Sequence, residues 1–351
     1  MTPCISKVQA AIKKLGADAA LITDMADIRY LSGFTGSTAF LLIENETCVF
    51  FTDGRYTLQA KEQVHPQIEQ VIVKTYQDVF KDYTSKYKRV LLQASCNLGT
   101  ADSVKKSGAD IIVDNDDLLK TMRMVKTDDE ISLIKAQYAL AAKSFKDSLN
   151  SFCIGSSERE WAAVLEYNIK KNGASGVSFE TIVASGFRGA MPHGTASSKI
   201  IEKNEPVIID FGSQLGYTSD YTRMIYGGCD KNIMSVINIV KDALLKSIDA
   251  IKAGVSCKDI DAVARDYISS KGYGEYFNHS LGHGVGLNVH ELPVLNPKSS
   301  YIIEEGMVFT IEPGIYLPNK FGVRLEDTVV VYSSGFEVIS SYLEDYIYLP
   351  K

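Results

Sequence analysis

The feature that most constrains this chain is a set of acids, each delivered by an apolar run of strand character. The runs read V-I-I-D-F-G at 207–212, T-S-D-Y-T-R at 218–223, F-T-I-E-P-G at 309–314 and V-R-L-E-D at 323–327. Asp210, Asp220, Glu312 and Glu326 thereby sit where a buried side chain is expected. An ionised carboxylate persists there only if it is paired or binds a cation. Four of the five histidines fall between His193 and His290, and His283 lies in the glycine-rich segment L-G-H-G-V-G-L-N-V-H-E at 281–291. The clustering points to a metal site.

Asp210 ends one apolar run and Asp220 opens the next, with Gly212, Gly216 and Tyr217 between them. This reads as a β-hairpin that sets two carboxylates side by side, where they repel unless a cation or proton intervenes. His283 is expected on a turn. Four acids and one imidazole exceed the needs of a single catalytic zinc and suit two divalent ions ~3.5–4 Å apart. The oxygen-rich donor set favours manganese, with cobalt and zinc as alternatives.

Length and composition set the frame for that site. With 351 residues, 45% of them hydrophobic and 23% charged, the chain exceeds one ordinary core and implies two domains. A net charge of -6 and a pI near 5.5 lack the basic surface that nucleic acid demands. No nucleic-acid partner is expected. The longest apolar runs, such as 39–43, are far below the ~18 residues of a membrane span. No basic-then-apolar leader opens the chain, so the expected location is cytoplasmic, with no membrane partner. Six scattered cysteines (Cys4, Cys48, Cys96, Cys153, Cys229 and Cys257) argue against zinc knuckles and redox dithiols, and most are expected to be small buried hydrophobes.

From residue 1 to 125, short β-rich runs at 19–22, 39–43, 48–52, 68–73, 89–92 and 111–113 alternate with helical patterns. An α/β domain with a mixed sheet is predicted. The boundary is placed at 125/126, just before the capping box Thr127-Asp128-Asp129-Glu130. The domain at 126–351 is predicted to be α+β. Its helices are expected at 128–151, from the second box Ser157–Glu160 to about 173, at 233–251 and at 258–270. Its strands, at 179–185, 206–211, 221–226, 307–312 and 323–332, are expected to form an antiparallel sheet that carries the acids.

The segments Pro192-His193-Gly194, Asp210-Phe211-Gly212, Ser219-Asp220-Tyr221-Thr222-Arg223, Gly282-His283-Gly284-Val285-Gly286-Leu287, Val289-His290-Glu291, Glu312-Pro313-Gly314 and Gly322-Val323-Arg324-Leu325-Glu326-Asp327 resemble the motifs of the pita-bread metallopeptidases. That is the creatinase, aminopeptidase P and methionine aminopeptidase family. Tyr30-Leu31-Ser32-Gly33-Phe34-Thr35-Gly36-Ser37 and Phe51-Thr52-Asp53-Gly54-Arg55-Tyr56 resemble the creatinase/prolidase-like N-terminal domain of its short bacterial Xaa-Pro aminopeptidases. The resemblance implies that Asp210, Asp220, His283, Glu312 and Glu326 hold two metal ions. It implies that His193 and His290 act in catalysis and that Glu312 doubles as the base. Arg324 and Tyr316 are candidates for substrate binding, Arg324 also for holding the acids, and His279 for orienting a ligand. His65 lies outside the cluster and reads as a surface residue.

Two departures stand out. The stretch from Asp210 to Asp220 is one residue shorter than the family leads one to expect, and Phe187-Arg188 replaces a small polar pair, a change that could alter the substrate pocket. The glycines at 282–286 lack the strand-then-helix setting of a nucleotide loop. The resemblance implies a homodimeric Xaa-Pro aminopeptidase acting on short proline-containing peptides. An Xaa-Pro dipeptidase is the alternative. A silent peptide-binding member or a metal-free creatinase-like hydrolase is remote, because both normally lose ligands and here none is lost.

Overall fold

The computed structural model describes residues 3–115, 117–228, 230–344 and 346–347. The chain divides into two compact units, Met1–Met122 and Arg123–Lys351. Among the described residues, no helix is long and apolar enough to cross a membrane.

The first unit is built on β1 (Ala19–Ile22), β2 (Phe40–Glu44), β3 (Cys48–Asp53), β4 (Glu69–Val73), β5 (Arg89–Gln93) and β6 (Asp110–Asp114), in the order β4-β3-β2-β1-β5-β6. β1, β2 and β3 pair antiparallel, whereas β4, β5 and β6 join in parallel, so the sheet is mixed as predicted. Helices α1 (Pro3–Leu15), α2 (Met25–Ser32), α3 (Thr57–Gln63), α4 (Tyr76–Asp82) and α5 (Leu98–Lys106) accompany it. Successive strand residues enter opposite cores. Ala20, Ile22, Leu41, Ile43 and Phe50 join one cluster, and Ala19, Leu21, Leu42, Val49 and Phe51 join the other. Burial on both faces explains why these strands read as continuous apolar runs.

Helix α6 (Leu118–Met124) contains the division between the units. α7 (Asp128–Ser148) and α8 (Glu158–Lys171) start at the two capping boxes read from sequence. Thr127 and Ser157 each accept from the backbone of Glu130 and Glu160, whose carboxylates return the bond. A box of this kind is worth about 0.5–2 kcal/mol to its helix. After β7 (Gly176–Val177), β8 (Ile182–Ser185), β9 (Val207–Phe211), β10 (Ser213–Leu215), β11 (Tyr217–Thr218) and β12 (Tyr221–Ile225) come α9 (Lys231–Asp249) and α10 (Cys257–Ser270). The chain continues with β13 (Gly282–Gly284), β14 (Glu291–Leu295), β15 (Val308–Ile311), β16 (Gly314–Leu317), β17 (Phe321–Arg324), β18 (Asp327–Tyr332), β19 (Gly335–Val338) and β20 (Tyr346–Ile347).

The acids therefore come from more than the one antiparallel sheet expected. Two main sheets form, β20-β12-β9-β8 and β14-β13-β15-β18-β19, with small sheets β11-β10-β7 and β16-β17 beside them. Side-chain alternation places both main sheets between helix pairs. Val207, Ile209, Tyr221, Val308 and Val330 share a core with α7 and α8, while Ile208, Met224, Phe309 and Val329 share one with α9 and α10.

Three local expectations need correction. The run 323–332 is two strands, because residues 321–324 pair with β16 and residues 327–330 with β15, leaving Glu326 at the corner between them. Asp220 does not face Asp210 across a ladder. Thr222 is the partner of Asp210, since the β10–β11 excursion, closed at Gly216, lengthens the hairpin loop. Finally, His283 lies on strand β13 rather than a turn. Its glycines permit close backbone approach: a Cβ on Gly282 would stand 1.9 Å from Thr310 O, and one on Gly284 2.1 Å from Leu292 O. Of the cysteines, Cys48 and Cys257 are buried, Cys153 is exposed, Cys4 and Cys96 are intermediate, and Cys229 lies outside the described residues.

Gly282→Ala is thus expected to force β13 from β15 and lower Tm by more than about 4 °C. Gly176→Ala, where a Cβ meets nothing within 4 Å, serves as the control and is expected to change Tm by less than half as much; differential scanning calorimetry checks both.

Candidate metal centre

Strand register brings the acids together from separate parts of the chain. β9 carries Asp210, Asp220 immediately precedes β12, Glu312 immediately follows β15, and Glu326 occupies the β17–β18 corner. Carboxylate oxygens of Asp210, Asp220 and Glu326 lie within 4.8 Å of one another. From β13, His283 Nε2 lies 3.5 Å from Asp220 Oδ2 and 3.3 Å from Glu312 Oε1. All five residues expected as ligands meet in one place.

The donor set fits a divalent cation on three observations. Asp210 Oδ1 and Glu326 Oε1 are buried without a hydrogen-bond partner. Like charges crowd there, with Asp220 6% and Glu326 1% exposed. His283 Nδ1 is 3.0 Å from the carbonyl of Gly284 and donates to it. Its other nitrogen then turns a lone pair towards two carboxylates, an arrangement that requires a proton or a cation between them.

Behind the acids, Arg324 donates through Nε to Thr222 Oγ1 at 3.0 Å, through Nη1 to Pro192 O at 3.0 Å and Tyr316 Oη at 2.8 Å, and through Nη2 to Asp210. Tyr316 stands 3.0 Å from His279 Nε2, and His279 Nδ1 2.7 Å from Ser280 O. These bonds run in one direction when His279 is neutral: arginine to tyrosine, tyrosine to imidazole, imidazole to carbonyl. Arg324 and Tyr316, candidates for touching substrate, are 3% and 4% exposed. Their polar atoms are occupied within this network.

Several functional groups had no role in the sequence reading. Thr222 Oγ1 donates to Glu326 Oε2 at 3.0 Å, and Thr310 Oγ1 lies 3.3 Å from Glu312 while accepting from the His283 amide at 3.1 Å. The signal was available: each threonine is two residues from an acid, and residues i and i+2 of a strand share a face. Arg223 ties the corner by bonding Glu326 O and Asp327 Oδ1, the latter at 3.0 Å. Beside His290, Glu291 is buried against Arg123 and Lys126.

His193 and His290 are exposed, and the His290 ring lies 4.3 Å from that of His283. His65 is exposed in the first unit. Of the unusual pair, Phe187 is exposed, whereas Arg188 bonds Glu158 and the carbonyl of Thr195. That arginine belongs to the scaffold of its loop.

Burial, with mutual repulsion, pushes the carboxyls of Asp220 and Glu326 well above their usual range, and burial raises Asp210 despite Arg324. Glu312 goes the other way. Burial would raise it, but the hydrogen bond and charge of His283 bring it down to about 2, and Glu312 in turn raises His283 against its burial. Burial lowers His279, and partial desolvation of the ring together with His283 lowers His290.

These directions set the pH response without metal. A group whose folded pKa is raised contributes stability below its unfolded pKa and loses it as pH climbs through the folded value. Asp210, Asp220, Glu326 and His283 behave so, whereas the lowered Glu312 contributes a constant amount above its ordinary value. Chelated protein is therefore expected to lose Tm steadily between about pH 5 and 8, and excess manganese to restore it most at the alkaline end. Calorimetry across that range checks this; a flat profile contradicts it.

Comparison with known proteins agrees with this architecture. Residues 132–333 match the model of metallopeptidase family M24, and residues 5–125 match the creatinase/prolidase N-terminal domain. The chain is 36% identical to an Xaa-Pro dipeptidase of Pyrococcus horikoshii, over 95% of this chain and 96% of the other. A solved Xaa-Pro dipeptidase from Bacillus anthracis is 38% identical with a TM-score of 0.94, covering 99% of both chains. An X-Pro aminopeptidase structure from Thermotoga maritima is 39% identical with a TM-score of 0.87, covering 97% of this chain and 99% of that one. With its two-domain pita-bread architecture and buried acidic cluster, the chain belongs to metallopeptidase family M24, whose members are divalent-metal-dependent peptidases.

Proposed function

We propose that this protein is an Xaa-Pro dipeptidase, cleaving dipeptides with proline in second position. The observation that carries the reading is full-length similarity to Xaa-Pro dipeptidases combined with five undamaged candidate ligands around one buried centre. This reverses the order suggested by the first-unit motifs, which favoured an aminopeptidase. The similarity to the X-Pro aminopeptidase keeps that activity as the second reading.

Asp210, Asp220, His283, Glu312 and Glu326 would hold two divalent ions, with manganese favoured for an oxygen-rich set. When bound, such ions polarise the scissile carbonyl and lower the pKa of water. Glu312, ionised at neutral pH, accepts the proton of the attacking water. His193 and His290 offer N–H donors to the oxygen that gains charge: both reach solvent, His290 lies against His283, and His193 follows Pro192, whose carbonyl accepts from Arg324. Arg324 orients Asp210 and Thr222, and Tyr316 with His279 fixes that guanidinium. Short proline-containing peptides are the proposed substrates, and the family resemblance adds a homodimer, which light scattering can test.

The deciding assay measures kcat/KM of manganese-loaded protein on an Ala-Pro dipeptide and on Arg-Pro-Pro. The dipeptide is expected to lead by at least about tenfold, a difference of about 1.4 kcal/mol. The opposite order makes the protein an aminopeptidase, and activity on neither refutes both. Asp220→Asn and Glu326→Gln are expected to lose bound metal and at least about 100-fold in kcat/KM. His290→Ala is expected to lower kcat while leaving metal content, read by mass spectrometry, unchanged. Near-normal turnover in either acid variant contradicts the site assignment.

A further inference from the structure

We infer that the buried carboxylate of Glu158 is a positioning residue for His193, clamping both ends of the segment that carries it. The inference rests on the catalytic role proposed above for His193. Glu158 is the first residue of α8 and is fully buried. Its Oε1 accepts from the amide and hydroxyl of Ser185, at 2.8 and 2.9 Å. Its Oε2 accepts from the amide and hydroxyl of Ser197, at 3.0 and 2.6 Å, and from Arg188 Nε at 2.9 Å. Ser185 ends β8, so Ser185 and Ser197 bracket the segment containing Pro192-His193-Gly194. Arg188 extends the hold inward, since its Nη2 donates to Thr195 O at 2.6 Å.

These five bonds do nothing for the start of α8, which Ser157 and Glu160 already cap. They serve the loop. Burial alone would raise the Glu158 carboxyl, but hydrogen bonds from Ser197 and Ser185 outweigh it and hold the group below its ordinary range. The acid is therefore ionised and its bonds are charge-assisted, roughly twice as strong as neutral ones. His193 itself is exposed, so neighbouring side chains do not lock its ring, and its place depends on the backbone beneath it. At the preceding residue, Pro192 O accepts from Arg324 Nη1. The segment is thus tied at its ends to a helix start and, beside His193, to the arginine of the acid cluster.

A double-mutant cycle tests this. Glu158→Gln keeps the shape but sets an amide donor against donor groups. In the full-length protein it is expected to lower kcat on Ala-Pro by about 10- to 100-fold, with KM changed less than about threefold. In a His193→Ala background the same change is expected to cost less than about twofold, because the group it positions is gone. Hydrogen exchange on the metal-free protein is expected to quicken in 186–197 and stay unchanged in β9 and β12. Ser197→Ala, a milder change, should show the same pattern at smaller amplitude if Glu158→Gln does not fold. Equal losses in both backgrounds, or wild-type kcat in a folded Glu158→Gln, overturn the inference while leaving the peptidase reading intact. Full kcat in His193→Ala alone overturns the role of His193 and this inference with it.

Discussion

Mutual repulsion among buried carboxylates governs this molecule. Asp210, Asp220 and Glu326 bring oxygens within 4.8 Å of one another in a setting nearly closed to water. No isolated chain gains from that arrangement, because desolvation and like charge both oppose ionisation. The rest of the second unit is organised to hold it. Two sheets between helix pairs supply rigid strand ends, and Arg324, Arg223, Thr222 and Thr310 fix the directions in which the acids point. Bound there, a divalent cation would offset this repulsion, so site and scaffold are best understood together.

The same logic separates two kinds of charged group around the centre. Arg324 compensates Asp210 from behind, away from the orphaned Oδ1, so the guanidinium completes the cluster without filling it. His279 and Tyr316 carry that support outward to the carbonyl of Ser280. His193 and His290 reach solvent, and partial desolvation of the His290 ring, together with the neighbouring His283, favours its neutral form. Arg324 and Tyr316 behind the acids are buried and hydrogen-bonded, and the groups proposed to meet substrate are accessible.

Much of this was legible in the residues themselves. Apolar runs with single acids marked the strands that bring the carboxylates together, and Thr127–Glu130 and Ser157–Glu160 marked two helix starts because a capping box is a local signal. What failed to show was non-local. The strand character of 282–284 depends on Thr310 and Leu292 approaching too closely for any Cβ, and nothing nearby in sequence announces those neighbours. The split of 323–332 follows from competing pairings with β16 and β15, though the run itself contains no breaker. Glu158 looked like an ordinary first-turn acid, since its serine partners lie 27 and 39 residues further along the chain. The preference between dipeptide and longer substrates was not readable from the ligand motifs, which both activities need.

The most direct test is an anomalous-difference map from crystals loaded with manganese. Two peaks are expected, bounded by Asp210, Asp220, His283, Glu312 and Glu326 and separated by ~3.5–4 Å. An ordered site with no peak among these five side chains would contradict that expectation.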